Sequence, residues 1–564
     1  MIKKIQLKKW LIGAAIVPAI MAFGWLGFYC WQNFGVKLPL AQTAQGLQLE
    51  ELLPPTVSMV VSFNPSDEAE RARFMKLWGI ILQDKKDAVI PFLATQLAMG
   101  ATGLNIENQK VELIASVLGA IGNDPRAIFA TSPTDNLPEA LIMLSLKDPV
   151  AFRAALKSMI GKAELENRVS VDSEKEFLAS YEGGSSLYFG MVGDIFFVSQ
   201  KKEAVDGIFS RYKKGGASFA RNSVFKKAIS KAVAPFSGYM FISMKNLPIT
   251  GAFLSMHSQD SGLRLDSVSF GDKKSNNELV SVIEPFSATI HNKISGKNLI
   301  AYVSGKNLGN LLMGEIEALY SKEEKEKVLQ QFKENTGFDY KKDIEPFVGG
   351  EYAFAFHNSG NIIPGFSFFV DANGSPEKAT AVLQKIDAVM PGLVVIGNMG
   401  LQGNEKQPII EYSKLASAKN GGVVKLYPDR VAKFIANIPL FQNITTPIEI
   451  SFGMTTENLM FVSVTPKAEE KLTNKDTVAD NRVFKVGVGL GVTPGSVFIL
   501  DGTALGSYLQ ELVDLAKKTQ KFSQDEDMVF ALVKKHLSPI KSIAQIAQGN
   551  GEDIYGKARI EISQ

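Results

Sequence analysis

"NSVFK", residues 222–226, and "NRVFK", residues 481–485, are nearly identical segments in a chain of 564 residues, and the second begins 481 − 222 = 259 residues after the first. Each places a phenylalanine beside a valine and among polar residues, and an aromatic side chain in this setting usually packs into a core. We therefore interpret Phe225 and Phe484 as equivalent core anchors and not as ligand contacts. The repetition predicts an internal duplication.

Further segments repeat in the same order around these two. "FGMVGDIFFVS" (Phe189–Ser199) precedes the first, and "FGMTTENLMFVS" (Phe452–Ser463) precedes the second. After them, residues 235–247 ("PFSGYMFISMKNL") resemble residues 493–505 ("TPGSVFILDGTAL"). Apolar runs broken by polar turns are typical of antiparallel hairpins. Together with the paired helices and the closing hairpins described below, these segments make five echoes in one order, which favours duplication over chance.

Helices of the same kind follow an apolar strand in each half. Asp148-Pro149 and Ser375-Pro376 have the residue types of an N-cap and a first helical position. Both helices then carry an apolar stripe at positions i, i+3, i+4 and i+7, which marks one buried face: Phe152, Ala155, Leu156 and Met159, and Ala379, Val382, Leu383 and Ile386. The proline pairs are only 376 − 149 = 227 residues apart, so about thirty residues are inserted in the second half, within about 387–450.

These patterns predict an α+β protein made of two tandem homologous modules, each with an antiparallel sheet and packed helices. We place the modules at about residues 53–290 and 291–564. Each module is expected to close with a hairpin around an Asn/Gly-rich turn, at residues 265–284 and 540–562.

The N-terminus has the pattern of a membrane anchor. A basic stub, residues 1–9, contains four lysines, and residues 10–31 follow without a charge. A helix of this length can cross a hydrocarbon core of about 30 Å. Four aromatic residues of the run, of the type that anchors helices at membrane interfaces, are Trp10, Trp25, Tyr29 and Trp31.

A single-pass signal-anchor with the N-terminus inside is the predicted topology, because positive charge favours the cytoplasmic side. The alternative, a cleaved signal peptide, has an apolar region of about 7–15 residues and small residues at its cleavage site, whereas "LAQTAQ" offers only Ala44. Residues 32–52 are interpreted as a tether. We therefore expect localisation to the cytoplasmic (inner) membrane, with the body periplasmic or extracellular.

Composition excludes several classes of function. The net charge is +3, but four of the 61 basic residues precede the apolar run, which leaves 61 − 4 = 57 basic against 58 acidic residues. This balance supplies no basic field for a nucleic-acid partner. Cys30 is the single cysteine, which excludes an intrachain disulfide and a cysteine-rich zinc site.

We find no complete catalytic, cofactor-binding or metal-binding motif. The four histidines have no helical metal-ligand spacing, and "GEDIYGKA" (Gly551–Ala558) lacks the Ser/Thr of a phosphate-binding loop. The weak candidates for a binding site are Gly349, Gly350 and Glu351, because a Gly-Gly turn could bring backbone close to a ligand beside a carboxylate. The simpler interpretation, which we favour, is that the glycines shape the turn and Glu351 is solvated.

The ordered pattern resembles a bacterial family known as domain of unknown function 3352 (DUF3352). The resemblance lies in the N-terminal anchor, in "LPPTVSMVVSFNP" from Leu53, in "IEPFVGGEYAFAF" (Ile344–Phe356), and in the segments around Phe189–Ser199 and Phe225. It covers most of residues 52–564. It implies a membrane-tethered extracytoplasmic α+β protein and supplies no catalytic residues.

The expected function is that of a non-catalytic binding or scaffold protein of the bacterial cell envelope, without a cofactor. Its expected partners are the lipid bilayer, through the N-terminal helix, and an envelope protein, peptidoglycan or lipid. The alternative is an envelope hydrolase whose site is built from scattered Ser, Asp and Glu residues.

Overall fold

A computed structural model provides the structure of the protein. It describes residues 48–63, 69, 72–73, 127–132, 139–146, 149–150, 152–154, 169–173, 178–181, 187–199, 201–232, 236–243, 249–271, 289–309, 313, 321–360, 364–401, 407–416, 418–431, 447–464, 475–490, 494–519, 539–550 and 553–563. The predicted basic stub, the membrane anchor with its four aromatic residues and most of the tether lie outside these residues. The chain divides into two compact units, Gly35–Asn276 and Asn277–Ser563, called here the N-terminal and the C-terminal unit.

The N-terminal unit contains an antiparallel sheet. Its described strands are β1 (Met59–Phe63), β2 (Ala127–Ser132), β3 (Glu139–Ser145), β4 (Val169–Ser173), β5 (Leu178–Tyr181), β6 (Leu187–Val192), β7 (Ile195–Ser199), β8 (Gly238–Ser243), β9 (Ile249–Gln259) and β10 (Gly262–Gly271). Their order across the sheet is β4-β5-β6-β7-β3-β2-β1-β8-β9-β10. Its described helices are α1 (Gln48–Leu52), α2 (Lys202–Lys214) and α3 (Ser223–Ile229).

The C-terminal unit is also built on an antiparallel sheet. Its described strands are β11 (Leu299–Lys306), β12 (Glu351–His357), β13 (Gly365–Asp371), β14 (Ile410–Lys414), β15 (Lys419–Leu426), β16 (Ile448–Met454), β17 (Leu459–Val464), β18 (Ser496–Asp501), β19 (Ile540–Asn550) and β20 (Asp553–Ile562). Their order is β14-β15-β16-β17-β13-β12-β11-β18-β19-β20. Strand for strand, this is the order of the N-terminal unit.

The helices of the C-terminal unit cover both faces of its sheet. They are α4 (Lys322–Thr336), α5 (Glu345–Val348), α6 (Pro376–Gly400), α7 (Pro428–Val431), α8 (Arg482–Val488) and α9 (Gly502–Thr519). Tyr302 of β11 packs in a core with Phe484 of α8, while the next residue, Val303, packs in a second core with Tyr508 of α9. Successive side chains of a strand point to opposite faces, so β11 is buried on both sides.

The predicted amphipathic stripe of the second helix is confirmed. Ala379, Val382 and Leu383 of α6 are buried in a third core cluster, and Ile386 packs against it. Pro376 stands in the first turn of the helix, as predicted. The helix continues to Gly400, fourteen residues beyond Ile386, the last residue of the predicted stripe.

One local expectation needs correction, and another is only partly covered by the structure. Of the hairpin predicted at residues 265–284, residues 265–271 are the end of β10, which pairs with the preceding strand β9 across a turn at Asp260-Ser261. Residues 272–284 lie outside the described residues. The predicted C-terminal hairpin does form, from β19 and β20. The stretch interpreted as a tether ends in helix α1, whose Leu49 and Leu52 are buried, so the packed part of the chain begins before residue 53.

Candidate functional site

The repeated Asn-x-Val-Phe-Lys motif begins a short helix in both units. The Asn222 side chain accepts hydrogen bonds from the backbone N–H groups of Val224 (2.9 Å) and Phe225 (3.1 Å), and the Asn481 side chain accepts one from Val483 (2.8 Å). Such N-caps satisfy donors that a helix leaves unpaired. Phe225 and Phe484 are buried, with 0% and 5% of their surface exposed. The motif therefore works as a cap and a core anchor.

Phe225 lies inside an aromatic cluster of the N-terminal unit. Its ring centroid is 4.3 Å from that of Phe219 and 5.4 Å from that of Phe241. Phe484 instead contacts a histidine, His291, with the ring centroids 4.4 Å apart. Neither ring is available to a ligand, because each is enclosed by side chains of its own unit.

The candidate residues Gly349, Gly350 and Glu351 make their contacts within the C-terminal unit. A Cβ atom on Gly350 would stand 2.0 Å from the backbone oxygen of Asp371, so only glycine fits at this close approach of two chain segments. At Gly349 the nearest atom would be 3.8 Å away. Gly350 thus serves backbone packing at the start of β12, whereas Gly349 has no such close contact.

Glu351 is buried, which contradicts the expectation that its carboxylate is solvated. Only 8% of its surface is exposed, and its Oε2 accepts hydrogen bonds from Thr289 Oγ1 (3.2 Å) and from the backbone N–H of Ile290 (3.1 Å). The carboxylate therefore caps the 3-10 helix formed by residues 290–292. Its donors lie about sixty positions earlier in the sequence, so no local pattern could have indicated them.

His291 and Tyr302 form a buried pair beside this cap. The His291 Nδ1 and the Tyr302 hydroxyl share a hydrogen bond of 2.6 Å. Burial lowers the pKa of His291 to about 3, because a charged imidazole would lose its hydration there. Burial also raises the pKa of Tyr302. Both groups are therefore neutral at pH 7, and they fill the core without supplying a charge to a substrate.

A serine, a histidine and an aspartate come together on the β9–β10 hairpin of the N-terminal unit. His257 Nε2 lies 3.1 Å from Ser255 Oγ and 3.0 Å from Asp266 Oδ2. Arg264 also pairs with the aspartate, through Nε to Oδ1 (3.1 Å) and Nη2 to Oδ2 (2.7 Å). Sequence spacing missed this cluster because its members meet across two strands. The pattern Ser-x-His on one strand, facing an aspartate on the next, could have indicated it.

The geometry of this cluster differs from that of a nucleophile–base–carboxylate relay. In such a relay the serine and the carboxylate contact opposite nitrogens of the imidazole, whereas Ser255 and Asp266 both approach Nε2. The Ser255 hydroxyl is within 3.1 Å of the Asp266 backbone oxygen, and only 1% of Ser255 is exposed. Its oxygen is therefore closed to a substrate.

Asp266 carries a stable negative charge. Burial acts to raise its pKa, but the hydrogen bonds from His257 and Arg264 and the charge of Arg264 outweigh burial and hold the pKa below its usual value. The cluster is thus an internal ion pair that fastens the hairpin. Among the residues that the structure describes, no group of three or more His, Cys, Asp and Glu side chains could hold a metal ion.

Helix α6 of the C-terminal unit is held against the fold at both of its ends. Its opening half is fixed on the core through Ala379, Val382 and Leu383. Its closing half is fixed to β14 and the residue before it: the Asn398 side chain donates to the Ile410 oxygen (2.7 Å) and accepts from the N–H groups of Ile409 (2.7 Å) and Ile410 (2.9 Å). The helix is therefore held along its length.

The opposite side of the closing half is apolar and exposed. We call it the α6 apolar surface, and its side chains are each 53–71% exposed: Val389, Leu393, Val395, Ile396 and Met399. No charged residue occurs from Ala388 to Gly400. Among the described helices, α6 alone is long and apolar enough to cross a membrane, as judged by length and composition. The mean hydropathy of its most apolar eighteen residues is 1.5, and only 17% of this stretch is buried.

Folded proteins rarely leave contiguous apolar patches in water, and such patches commonly mark interaction sites. The prediction of this helix from the sequence concerned only its buried stripe, which ends at Ile386, and so did not include the exposed surface. The uncharged run "AVMPGLVVIGNMG" (Ala388–Gly400) was the available signal.

Comparisons with known proteins give a family and a distant likeness. The sequence model of the family described as "Protein of unknown function (DUF3352)" matches residues 86–499. No curated protein matches the chain. Crystal forms IV and III of TP0453 each align at 11% sequence identity and a TM-score of 0.25, covering 39% and 40% of this chain and 79% and 80% of TP0453. At these values the likeness carries no argument about this chain.

Proposed function

The chain belongs to the DUF3352 family of proteins of unknown function, and from this premise we propose that it is a non-catalytic binding or scaffold protein of the bacterial cell envelope. In this proposal the N-terminal run, residues 10–31, anchors it in the cytoplasmic membrane, and the two units lie outside the cytoplasm. The observation that carries the proposal is the α6 apolar surface. A surface of this kind needs a partner and contributes nothing to bond breaking.

The two units are proposed to be products of an internal duplication. Their ten strands follow the same order in the sheet, which supports this history. The same Asn-capped helix precedes the eighth strand in both units, with Phe225 and Phe484 as the buried aromatic residues. A duplicated scaffold provides two related surfaces, and the closing half of helix α6, which carries the apolar surface, lies in the part of the second copy for which the sequence predicts an insertion, within about 387–450.

The polar clusters support a structural role over a catalytic one. Glu351 caps a 3-10 helix, and His291 is a neutral core residue. The charge of Asp266 is balanced by an ion pair with Arg264. The alternative function, an envelope hydrolase, would need a nucleophile in reach of substrate. Among the residues that the structure describes, Ser255 lies beside a histidine and an aspartate, and it is enclosed.

The test combines a search for turnover with a search for a partner. The full-length protein in mild detergent is assayed with ester, peptide and glycan substrates, and we expect no turnover. Turnover that Ser255→Ala or Asp266→Asn abolishes would overturn the proposal.

In parallel, a photo-crosslinking residue is placed at Ile396, and the matched control carries it at Gln384, an exposed polar position on the same helix. We expect envelope components to crosslink at Ile396 and not at Gln384. Equal, non-specific labelling at both positions would contradict a binding role for the α6 apolar surface.

A further inference from the structure

The exposed side of α6 changes character part of the way along the helix. Before Asp387 its exposed residues include Glu377, Gln384 and Lys385. From Ala388 onward its exposed residues are apolar or glycine, with Pro391 among them. A protein surface in water does not require such a boundary. A helix that passes from water into hydrocarbon does, because charged side chains are costly inside a bilayer.

The composition of the apolar half also favours a lipid environment. It contains Pro391 and the glycines Gly392, Gly397 and Gly400. In water a proline or a glycine inside a helix is unfavourable relative to alanine. Both residues are more frequent in membrane helices than in soluble ones, since hydrocarbon offers the backbone no competing hydrogen bonds.

A protein partner fits the same surface less well. Protein interfaces are enriched in aromatic residues, methionine and arginine, whereas the α6 apolar surface contains one methionine, Met399, beside four aliphatic residues: Val389, Leu393, Val395 and Ile396. Val389, Leu393 and Ile396 follow the spacing i, i+4 and i+7, so they form one convex ridge. A convex aliphatic ridge without polar groups is suited to insertion among acyl chains.

The packing of α6 limits how far it can enter. Its opening half is held in the core by Ala379, Val382 and Leu383, so the whole helix cannot cross a bilayer while the unit is folded. The thirteen residues from Ala388 to Gly400 span about 20 Å at 1.5 Å per residue, less than a hydrocarbon core of about 30 Å. Tyr412 contacts Asp387, and Lys414 pairs with Asp387 at 3.3 Å, so charges gather at the boundary between the two halves.

We propose that the α6 apolar surface inserts into one leaflet of a lipid bilayer and gives the C-terminal unit a second attachment to the membrane. This inference rests on the proposed membrane tether, because an N-terminal anchor keeps the unit close to a bilayer and raises the effective concentration of α6 there. The ligand is the acyl region of the lipid, and no specific headgroup is required.

The experiment uses the full-length chain with Cys30→Ser, reconstituted into vesicles of phosphatidylethanolamine and phosphatidylglycerol. One variant carries Ile396→Cys and the matched control carries Gln384→Cys, each labelled with an environment-sensitive fluorophore. We expect blue-shifted emission at position 396 and quenching by lipids with a nitroxide on the acyl chain. We expect neither effect at position 384.

A second set of variants tests the ridge without placing the probe in it. With the fluorophore at Met399→Cys, we expect the double variant Leu393→Ser and Ile396→Ser to reduce the ratio of inserted to non-inserted helix by about tenfold or more, because two aliphatic side chains would no longer be transferred into the acyl region. Ala381→Ser, on the polar half, is expected to leave the signal unchanged. Circular dichroism establishes that all variants are folded.

The outcomes separate this inference from the proposed function. Emission at position 396 equal to that at position 384, in a chain that floats with the vesicles, would overturn the lipid contact and leave the tether intact. A blue shift without nitroxide quenching would also overturn it, because a protein would then cover the surface. A chain that does not float with vesicles would contradict both the tether and the insertion.

Discussion

Glu351 and Asp266 are two carboxylates that the fold removes from water, and each is compensated by donors of its own unit. Glu351 accepts from Thr289 and Ile290, and Asp266 accepts from Arg264 and His257. An uncompensated buried charge would be strongly unfavourable. Because donors of its own unit contact each carboxylate, these residues stabilise the fold, and their presence alone is no argument for catalysis.

Gly350 offers a direct test of the close approach between β12 and the end of β13. Gly350→Ala would place a Cβ atom 2.0 Å from the Asp371 oxygen, so the backbone must shift. We expect the free energy of unfolding to fall by about 1–3 kcal/mol, the usual cost of overpacking. Denaturant unfolding followed by circular dichroism measures it.

The control for this substitution is the preceding residue. Gly349 has φ −75° and ψ −9°, values that alanine adopts readily, and an added Cβ would meet nothing closer than 3.8 Å. Gly349→Ala should therefore be neutral or slightly stabilising. Equal losses in both variants would mean that the two glycines have some role other than backbone clearance.

His291 gives the C-terminal unit a pH-dependent stability. Its pKa is lowered from 6.5 to about 3 in the folded state, so the unfolded state binds the proton first as pH falls. The contribution of the neutral imidazole is complete above pH 6.5 and is lost progressively down to pH 3. Between pH 7.5 and pH 5 we expect a loss of about 2 kcal/mol from this residue.

The variant that isolates this effect is His291→Asn, which keeps a hydrogen-bonding atom near Tyr302 and removes the titration. Unfolding is measured at both pH values for the two proteins, so that contributions from other ionisable groups cancel. The variant should lose less stability than the wild type on acidification. The same loss in both proteins would show that His291 is not the group responsible.

At the scale of elements, the repeated Asn-capped helices carry the clearest sequence signal. Asn222 and Asn481 each occupy the N-cap position, and each follows a short 3-10 helix, residues 219–221 and 478–480. Substitution of either asparagine by alanine should cost about 1 kcal/mol, because N–H donors of the first turn lose their acceptor. Substitution by serine, which can also cap, should cost less.

Hydrogen exchange reports these losses locally, in the amides of α3 for Asn222→Ala and in those of α8 for Asn481→Ala. Each substitution should accelerate exchange in its own helix and leave the other helix unchanged. If Asn222→Ala and Asn222→Ser accelerate exchange equally, the cap is not what stabilises the helix.

The elements show how far sequence reasoning extends. Hairpin β6–β7, hairpin β16–β17 and the buried stripe of α6 follow from periodicity and turn residues, which are local properties. Of the hairpin predicted at residues 265–284, the structure describes only residues 265–271, as the end of β10 paired with β9, so the hairpin stays a prediction. The cap at Glu351 and the cluster at His257 depend on contacts between strands, which one sequence does not reveal.

At the scale of the whole molecule, the two units share one strand order, and the sequence predicts an insertion in the second copy alone, within about 387–450. The shared order accounts for the repeated motifs, since each copy needs the same cap, core aromatic residue and hairpins. The α6 apolar surface lies in the region where the copies diverge. A function that resides in this surface would belong to the C-terminal unit alone.

The remaining prediction is the topology of the chain. The positive charge of Lys3, Lys4, Lys8 and Lys9 precedes the uncharged run 10–31, and basic residues are retained on the cytoplasmic side. Protease added to intact spheroplasts should therefore digest the body, while a tag placed before Met1 stays protected until the cells are lysed. Substitution of the four lysines by glutamine should increase the fraction with the opposite orientation, because the charge asymmetry that sets it is removed. A body protected in intact spheroplasts, or a mature N-terminus near Gln45, would contradict the anchored topology on which membrane insertion of α6 depends.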